Sequence, residues 1–478
     1  VHDSARLVLV NLEQPALDSE TVAHLRRYKP GGVVLFKHQL PDLETARALS
    51  ADLREILGED VLLAVDQEGG NVWRTPFLPS APSAGNLGSS NDADLTRRVG
   101  VQTGAGMRAF GANWCFAPVL DINVNPDNPV IAERSFGDNA ERVARLGRAW
   151  LEGIQSTGVA ACAKHFPGHG DTRVDSHHDL PSVDKSRNEL ERLEFAPFRA
   201  VLDSVASLMT AHIVFPALDP DLPATLSKRI LTDLVRDAWK YQGLIVTDAM
   251  DMGAITRRWG RGDAAVQSVS AGADILEVFG NLTTQAETFA ALERASTQGT
   301  LSKARLNDAL ERRTRLAGAY PSITTDLPLE PDLMRAAWQR GIARHGAVRL
   351  PARGARVAVV LERDNPGGSA WDSAPGGTAI QEALRRVYAV TPVFLEEAAT
   401  LPVIRSSMDA VVLVTSSPRR PQHDWDTLGP DLHLALWNPY IVHDIRAPAL
   451  CTYGLTTESL EALVDVLNTG NLESLPTV

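Results

Sequence analysis

Residues 243–252 read GLIVTDAMDM, a short β-branched run that stops at an acid, Asp248. Apolar runs of this length bounded by turn residues are the mark of a buried strand. The same form recurs along the first two-thirds of the chain: RLVLVN (6–11), GGVVLF (31–36), VLLAVD (61–66), WCFAPVLDI (114–122), VAACAKH (159–165), SLMTAHIVF (207–215) and ADILEV (273–278). Between these runs lie helix-length stretches with 3.6-residue periodicity, among them DLETARALSADLREIL (42–57), AERVARLGRAWLEGIQSTG (140–158) and RNELERLEFAPFRAVLDS (187–204). Eight strands separated by helical crossovers predict an α/β chain built as a TIM-like (β/α)8 barrel. A doubly wound open sheet could hold as many strands, but it gives no reason for a polar residue at the end of nearly every one.

Downstream, YPSITTDLPLEPDL (320–333) has the Pro and turn content of a junction. After a helical stretch, MRAAWQRGIARHG (334–346), the alternation restarts with ARVAVVLE, TAIQEALRRVY, DAVVLVTS, LHLALWN, PALCTYG and TESLEALVDVLNTG. The expected organisation is a barrel over 1–325, a linker and helix over 326–346, and a smaller α/β sandwich domain over 347–478.

The bulk numbers fit a globular chain of two or three domains: 478 residues, 44% hydrophobic and 22% charged. A net charge of −12 argues against nucleic acid or an anionic membrane as the main partner. No run approaches the ~18 apolar residues of a membrane helix. Cys115, Cys162 and Cys451 are too few and too scattered for a disulfide framework or a zinc pattern, and read as buried small hydrophobes. The residues from Val1 onward contain no signal peptide, which points to the cytoplasm.

Strand ends are where a barrel builds its active site. Here they present Asp66, Asp121, Lys164 with His165, His212 and Asp248. The fifth end opens KHFPGHGDTRVDSHHDLP (164–181), which holds four of the twelve His and three Asp. A strand-end carboxylate can serve as a nucleophile when a proton donor stands ready for the leaving group. An imidazole starts near pKa ~6.5 and serves as donor, then acceptor, without deep burial. In an extended segment residues i and i+2 face one side, so Asp175 is placed to orient the ring of His177.

The segments AVDQEGG (64–70), FAPVLDINVNPDNPVIAERSFG (116–137), KHFPGHGDTRVDSH (164–177) and GLIVTDAMDM resemble glycoside hydrolase family 3, in its β-N-acetylglucosaminidase branch. The resemblance implies a retaining exo-hydrolase that removes terminal N-acetylglucosamine from amino-sugar glycans such as peptidoglycan fragments or chitooligosaccharides, without a cofactor. It further implies that Asp248 is the nucleophile and that His177, paired with Asp175, is the acid/base. Sugar contacts then fall to Asp66, Arg74, Arg134, Lys164 and His165, with His212 either a contact or a core histidine. One departure from the family pattern is Asn71, where many members carry Arg.

Three other readings compete. A β-glucosidase or β-xylosidase of the same fold is opposed by the DSH and TDAM segments. A metal-dependent hydrolase could draw on His165, His169, Asp171, Asp175, His177 and His178. Against it, Lys164 beside the first His would repel a cation, and no paired helical His motif is present. A non-catalytic sugar-binding module would leave filled catalytic positions without a use. The loop from Phe166 to about Pro181 has no helical period, so it is expected to close over bound sugar and to hold His177 away from Asp248 beforehand.

Overall fold

The computed structural model describes residues 3–363, 371–372, 374–418, 420 and 424–478. Eight parallel strands close into a barrel: β1 (Val8–Asn11), β2 (Gly32–Val34), β3 (Leu62–Val65), β4 (Trp114–Cys115), β5 (Ala160–Phe166), β6 (Ser207–Thr210), β7 (Leu244–Ala249) and β8 (Ile275–Val278). Each pairs with its sequence neighbours, and β8 returns to β1 with Val8 opposite Leu276. Alternate residues point to opposite faces of a strand. Leu9, Val34, Leu62, Ala64, Trp114, Cys162, Leu244, Val246 and Ile275 fill the barrel interior. Their neighbours Val10, Val33, Leu63, Leu208, Ile245 and Leu276 pack against the surrounding helices. Both faces are buried, which is why the strands read as continuous apolar runs.

Two expected elements come out shorter. WCFAPVLDI contributes only Trp114–Cys115 to a regular ladder, because Pro118 has no N–H to donate. Residues 187–204 form two helices, Arg187–Arg192 and Phe195–Val201, instead of one. Pro197 explains the break, since its ring would clash with the carbonyl four residues back, at Leu193. The helices Leu43–Leu57 and Ala140–Gln155 form as their periodicity predicts, capped by the side chains of Asp42 and Asn139.

The second domain is a six-stranded sheet in the order β9-β14-β13-β12-β10-β11. Its strands are β9 (Ala343–His345), β10 (Arg356–Leu361), β11 (Ala389–Phe394), β12 (Ala410–Thr415), β13 (Leu432–Ala435) and β14 (Ala449–Cys451). β9 alone is antiparallel to its neighbour. It arises inside the stretch read as helical: the helix Pro331–Gly341 ends and Ala343–His345 joins the sheet edge. The edge strand β11 also escaped the sequence reading, its pattern interrupted by Pro392. All three cysteines are buried and free. No helix among the described residues is long and apolar enough to cross a membrane.

The second domain backs the loops that follow β3 and β4. Asn71 makes a paired contact with the main chain of Leu455, donating from Nδ2 to its carbonyl (2.8 Å) and accepting from its N–H (2.9 Å). Trp437 donates from Nε1 to Glu133 (2.7 Å), and the Tyr440 hydroxyl donates to the carbonyl of Asn123 (2.7 Å). Trp338, fully buried, donates from Nε1 to the carbonyl of Ser80 (3.0 Å).

Candidate active site

The inward phase of the barrel strands continues past the apolar layers into polar groups. Leu62 and Ala64 lead to Asp66, Cys162 leads to Lys164, Val246 leads to Asp248, and Ile275 leads to Glu277. These four line one cavity of about 240 Å³, whose wall also includes Phe36, Arg74, Arg134, His165, His177 and Phe279. An active site at the C-terminal rim is thus the next layer of the same stacking that makes the core.

A charge network sets the shape of one wall. Lys164, 2% exposed, places its ammonium 2.6 Å from both Asp66 Oδ1 and Glu68 Oε1. Arg134 grips Glu68 with two parallel bonds of 2.8 Å from Nε and Nη2, and donates from Nη1 to the carbonyl of Val130 (3.0 Å). Burial alone would raise the Glu68 pKa, but Arg134 and Lys164 hold it far below the carboxylate range. Arg134 therefore pairs with Glu68 while itself lining the cavity. Arg74 lies 4.0 Å from Asp66 and is held by Asp372 of the second domain at 2.8 Å. Neither Glu68 nor Asp372 was singled out from sequence. Glu68 stood inside a quoted motif, whereas Asp372 lies almost 300 residues from its partner in a segment without pattern.

The His-rich loop divides its side chains among several tasks. Asp121, fully buried, accepts from the ring Nδ1 of His165 (2.7 Å) and from the amide of His169 (2.7 Å). His169 shares hydrogen bonds with Thr172 (2.8 Å) and Ser176 (2.9 Å), and burial drives its pKa down to about 4, so the ring is a neutral brace. Asp171 pairs with Lys185 at 2.9 Å. Among the described residues no three His, Cys, Asp or Glu side chains converge as a metal cage would.

Asp175 Oδ1 accepts from the ring Nδ1 of His177 (2.7 Å) and from its backbone N–H (2.9 Å). The pair meets through an Asx turn, and not through the extended geometry expected of residues i and i+2. The amides of His178 and Asp179 fold back onto the carbonyl of Asp175, closing the turn. The loop itself is docked over the cavity: Gly253 and Ala254 donate their N–H groups to the carbonyls of His177 (3.0 Å) and Ser176 (3.2 Å). A side chain at Gly253 would place its Cβ 2.6 Å from the His178 carbonyl, so this approach needs glycine. The expectation that His177 stands away from Asp248 is therefore corrected, since both line one cavity.

Asp248 accepts from the N–H of Ala249 (2.8 Å). Burial pushes its pKa up, but His165, His212 and His177 outweigh that and leave the carboxylate below its ordinary range, ionised. His212 does not reach the cavity. Its Nε2 donates to the carbonyl of Ala249 (3.0 Å), its Nδ1 shares a hydrogen bond with Thr225 (2.7 Å), and burial lowers its pKa. The regular strand ends at Thr210, and the residues on either side of His212, Ala211 and Ile213, pack in the outer core. Of the two roles left open for it, these bonds fit a core histidine that braces the peptide beside Asp248.

Comparison with known proteins places these features in a lineage. Residues 4–316 match the family model described as glycosyl hydrolase family 3 N terminal domain. The β-hexosaminidase A of Pseudoalteromonas piscicida is 35% identical over 274 residues, 52% of this chain and 46% of that protein, so the match spans about half of that relative. A β-hexosaminidase of Alkalilimnicola ehrlichii is 34% identical over 277 residues, 56% of this chain and 79% of its own length. Among solved structures, a glycoside hydrolase family 3 β-N-acetylglucosaminidase from Paenibacillus sp. str. FPU-7 superposes with a TM-score of 0.89 at 30% identity, covering 99% of this chain and 97% of that one.

Proposed function

The chain belongs to glycosyl hydrolase family 3, and from that premise we propose that it is a retaining, exo-acting β-N-acetylglucosaminidase. Its substrates are amino-sugar glycans, peptidoglycan fragments or chitooligosaccharides, that end in N-acetylglucosamine. The observation supporting this most directly is that an ionised Asp248 and an Asp175-held His177 line the same cavity. The names of its relatives, β-hexosaminidases and a β-N-acetylglucosaminidase, point to the same class of sugar.

In this reading Asp248 attacks the anomeric carbon while the Nε2 proton of His177 passes to the leaving oxygen. The glycosidic C–O bond breaks and a glycosyl–Asp248 ester forms. Water, deprotonated by the now neutral His177, then opens the ester with a second inversion, and the proton returns to the ring. Asp175 accepts from Nδ1, which keeps Nε2 turned toward the substrate and stabilises the imidazolium. Asp66, with 21% of its side chain exposed, accepts sugar hydroxyls, while Arg74, Lys164 and His165 complete the pocket. Arg134, on the cavity wall, holds Glu68 in place and is a further sugar contact. A cavity of about 240 Å³ is smaller than the ~300–1,000 Å³ of extended ligand sites, which suits a single terminal ring.

The deciding experiment compares turnover of nitrophenyl β-N-acetylglucosaminide with that of the matching glucoside, and follows the first-formed anomer by NMR. Preference for the N-acetyl sugar with β product first is expected. Preference for the glucoside, or α product first, would overturn the reading.

A further inference from the structure

The reaction above leaves Glu277 without a task. This acid occupies an interior position of β8, two residues after Ile275 and two before Phe279, and so shares their inward phase. It is 3% exposed, lines the same cavity as Asp248, and its Oε1 has no hydrogen-bond partner. Its main chain is fixed against the nucleophile strand: its N–H donates to Thr247 Oγ1 (3.1 Å) and its carbonyl accepts from Met250 (2.9 Å). Buried polar atoms in native proteins nearly always find partners, so an unpaired carboxyl oxygen on a side chain that lines a ligand cavity marks a place for a ligand atom.

We propose that Glu277 is a specificity-determining residue whose carboxyl group holds one hydroxyl of the sugar ring bound at Asp248. This rests on the reading of the cavity as a sugar pocket and extends it to a contact on the eighth strand. The groups around Glu277 decide its form. Burial comes first, followed by the carboxylates of Asp248 and Asp66, with Asp251 adding to them and Lys164 opposing. The Lys164 ammonium is already shared between Asp66 and Glu68, so Glu277 keeps its proton well above the ordinary carboxyl range. A neutral carboxyl offers one O–H donor and one carbonyl acceptor, the complement of a hydroxyl, and adds no further negative charge beside the nucleophile. Glu277→Gln retains a donor, an acceptor and the shape, whereas Glu277→Leu and Glu277→Met keep much of the volume without either.

The test crosses enzyme variants with deoxy substrates. The kcat/KM values of wild type, Glu277→Gln and Glu277→Leu are measured on nitrophenyl β-N-acetylglucosaminide and its 3-, 4- and 6-deoxy analogues. Glu277→Leu is expected to lose roughly 10- to 10²-fold on the parent sugar, and one deoxy analogue to lose a similar factor with wild type and Glu277→Gln. That analogue should suffer no added loss with Glu277→Leu. Equal deoxy penalties in all three enzymes, or a Leu variant as active as wild type, would overturn the contact. Glu277→Met replaces the Leu variant if thermal melting shows the latter unfolded. If wild type cleaves only glucosides, the N-acetylglucosaminidase reading fails, and the same cycle with deoxyglucosides still decides the role of Glu277. Cleavage of no glycoside would overturn both.

Discussion

One oxygen of Asp175 accepts both the backbone N–H of His177, at 2.9 Å, and its ring Nδ1, at 2.7 Å. The carboxylate thereby fixes the turn, the ring position and the tautomer together. His177→Ala should slow cleavage of substrates with poor leaving groups by ~10²–10⁴-fold. Dinitrophenyl glycosides, which hardly need the proton, should lose far less. Equal losses across leaving groups in a kcat/KM series would remove His177 from the role of acid. Asp175→Asn should follow the same pattern with a smaller effect, because it weakens orientation but leaves the donor in place.

Asp248→Asn is expected to keep the fold, since the Ala249 amide can still bond an amide oxygen at that position. Turnover should fall to near background, as no glycosyl ester can form. A 5-fluoro N-acetylglucosaminyl donor should label wild type on the peptide containing Asp248. Mass-spectrometric mapping of the label to any other residue would overturn the assignment.

Asp372→Ala frees the Arg74 guanidinium from its partner at 2.8 Å and leaves it beside Asp66, 4.0 Å away. Arg74 should then turn onto Asp66 and compete with the sugar for its oxygens. The expected result is a KM raised ~3–30-fold with kcat changed less, as for loss of ground-state binding. Asp372→Asn, which keeps an acceptor, should recover part of the loss. A fall in kcat with KM unchanged would place Asp372 elsewhere in the reaction.

Glu133 is buried at the domain interface, and burial pushes its pKa up to about 8 despite the bond from Trp437. The folded chain therefore holds this proton more tightly than the unfolded chain does. The contribution to stability is full below about pH 4.5 and declines as pH rises through about 8. Thermal melts of wild type should fall over that window more steeply than those of Glu133→Gln. Parallel pH profiles for the two proteins would show that Glu133 is not protonated in the fold.

The barrel was legible because its strands are buried on both faces and end at a rim where polar groups serve chemistry. Asp66, Lys164 and Asp248 stood out at those ends. Glu277 carried the same signal, an acid at the inward phase of ADILEV, but lay inside the strand and not at its end, so it was not singled out. His212 was left open between sugar contact and core, because its partners, Thr225 and the carbonyl of Ala249, belong to other segments of the chain. The Asx turn of Asp175 and the break at Leu193 depend on local chemistry that was present in the sequence but outweighed by periodicity. Asn71, Asp372 and Glu133 could not be read at all, because each takes its meaning from a partner about 300 or more residues away.

Asn71 holds the second domain by the main chain of Leu455 and touches no side chain there. Any residue except proline at position 455 presents the same two groups, so this joint constrains the path of the chain, while the buried Leu455 side chain serves the second domain's own core. Arg74, by contrast, depends on one acidic side chain across the boundary. A chimera that brought the indole and hydroxyl donors of Trp437 and Tyr440 on an equal backbone trace would still dock, yet its sugar affinity would follow the residue that it carries at position 372.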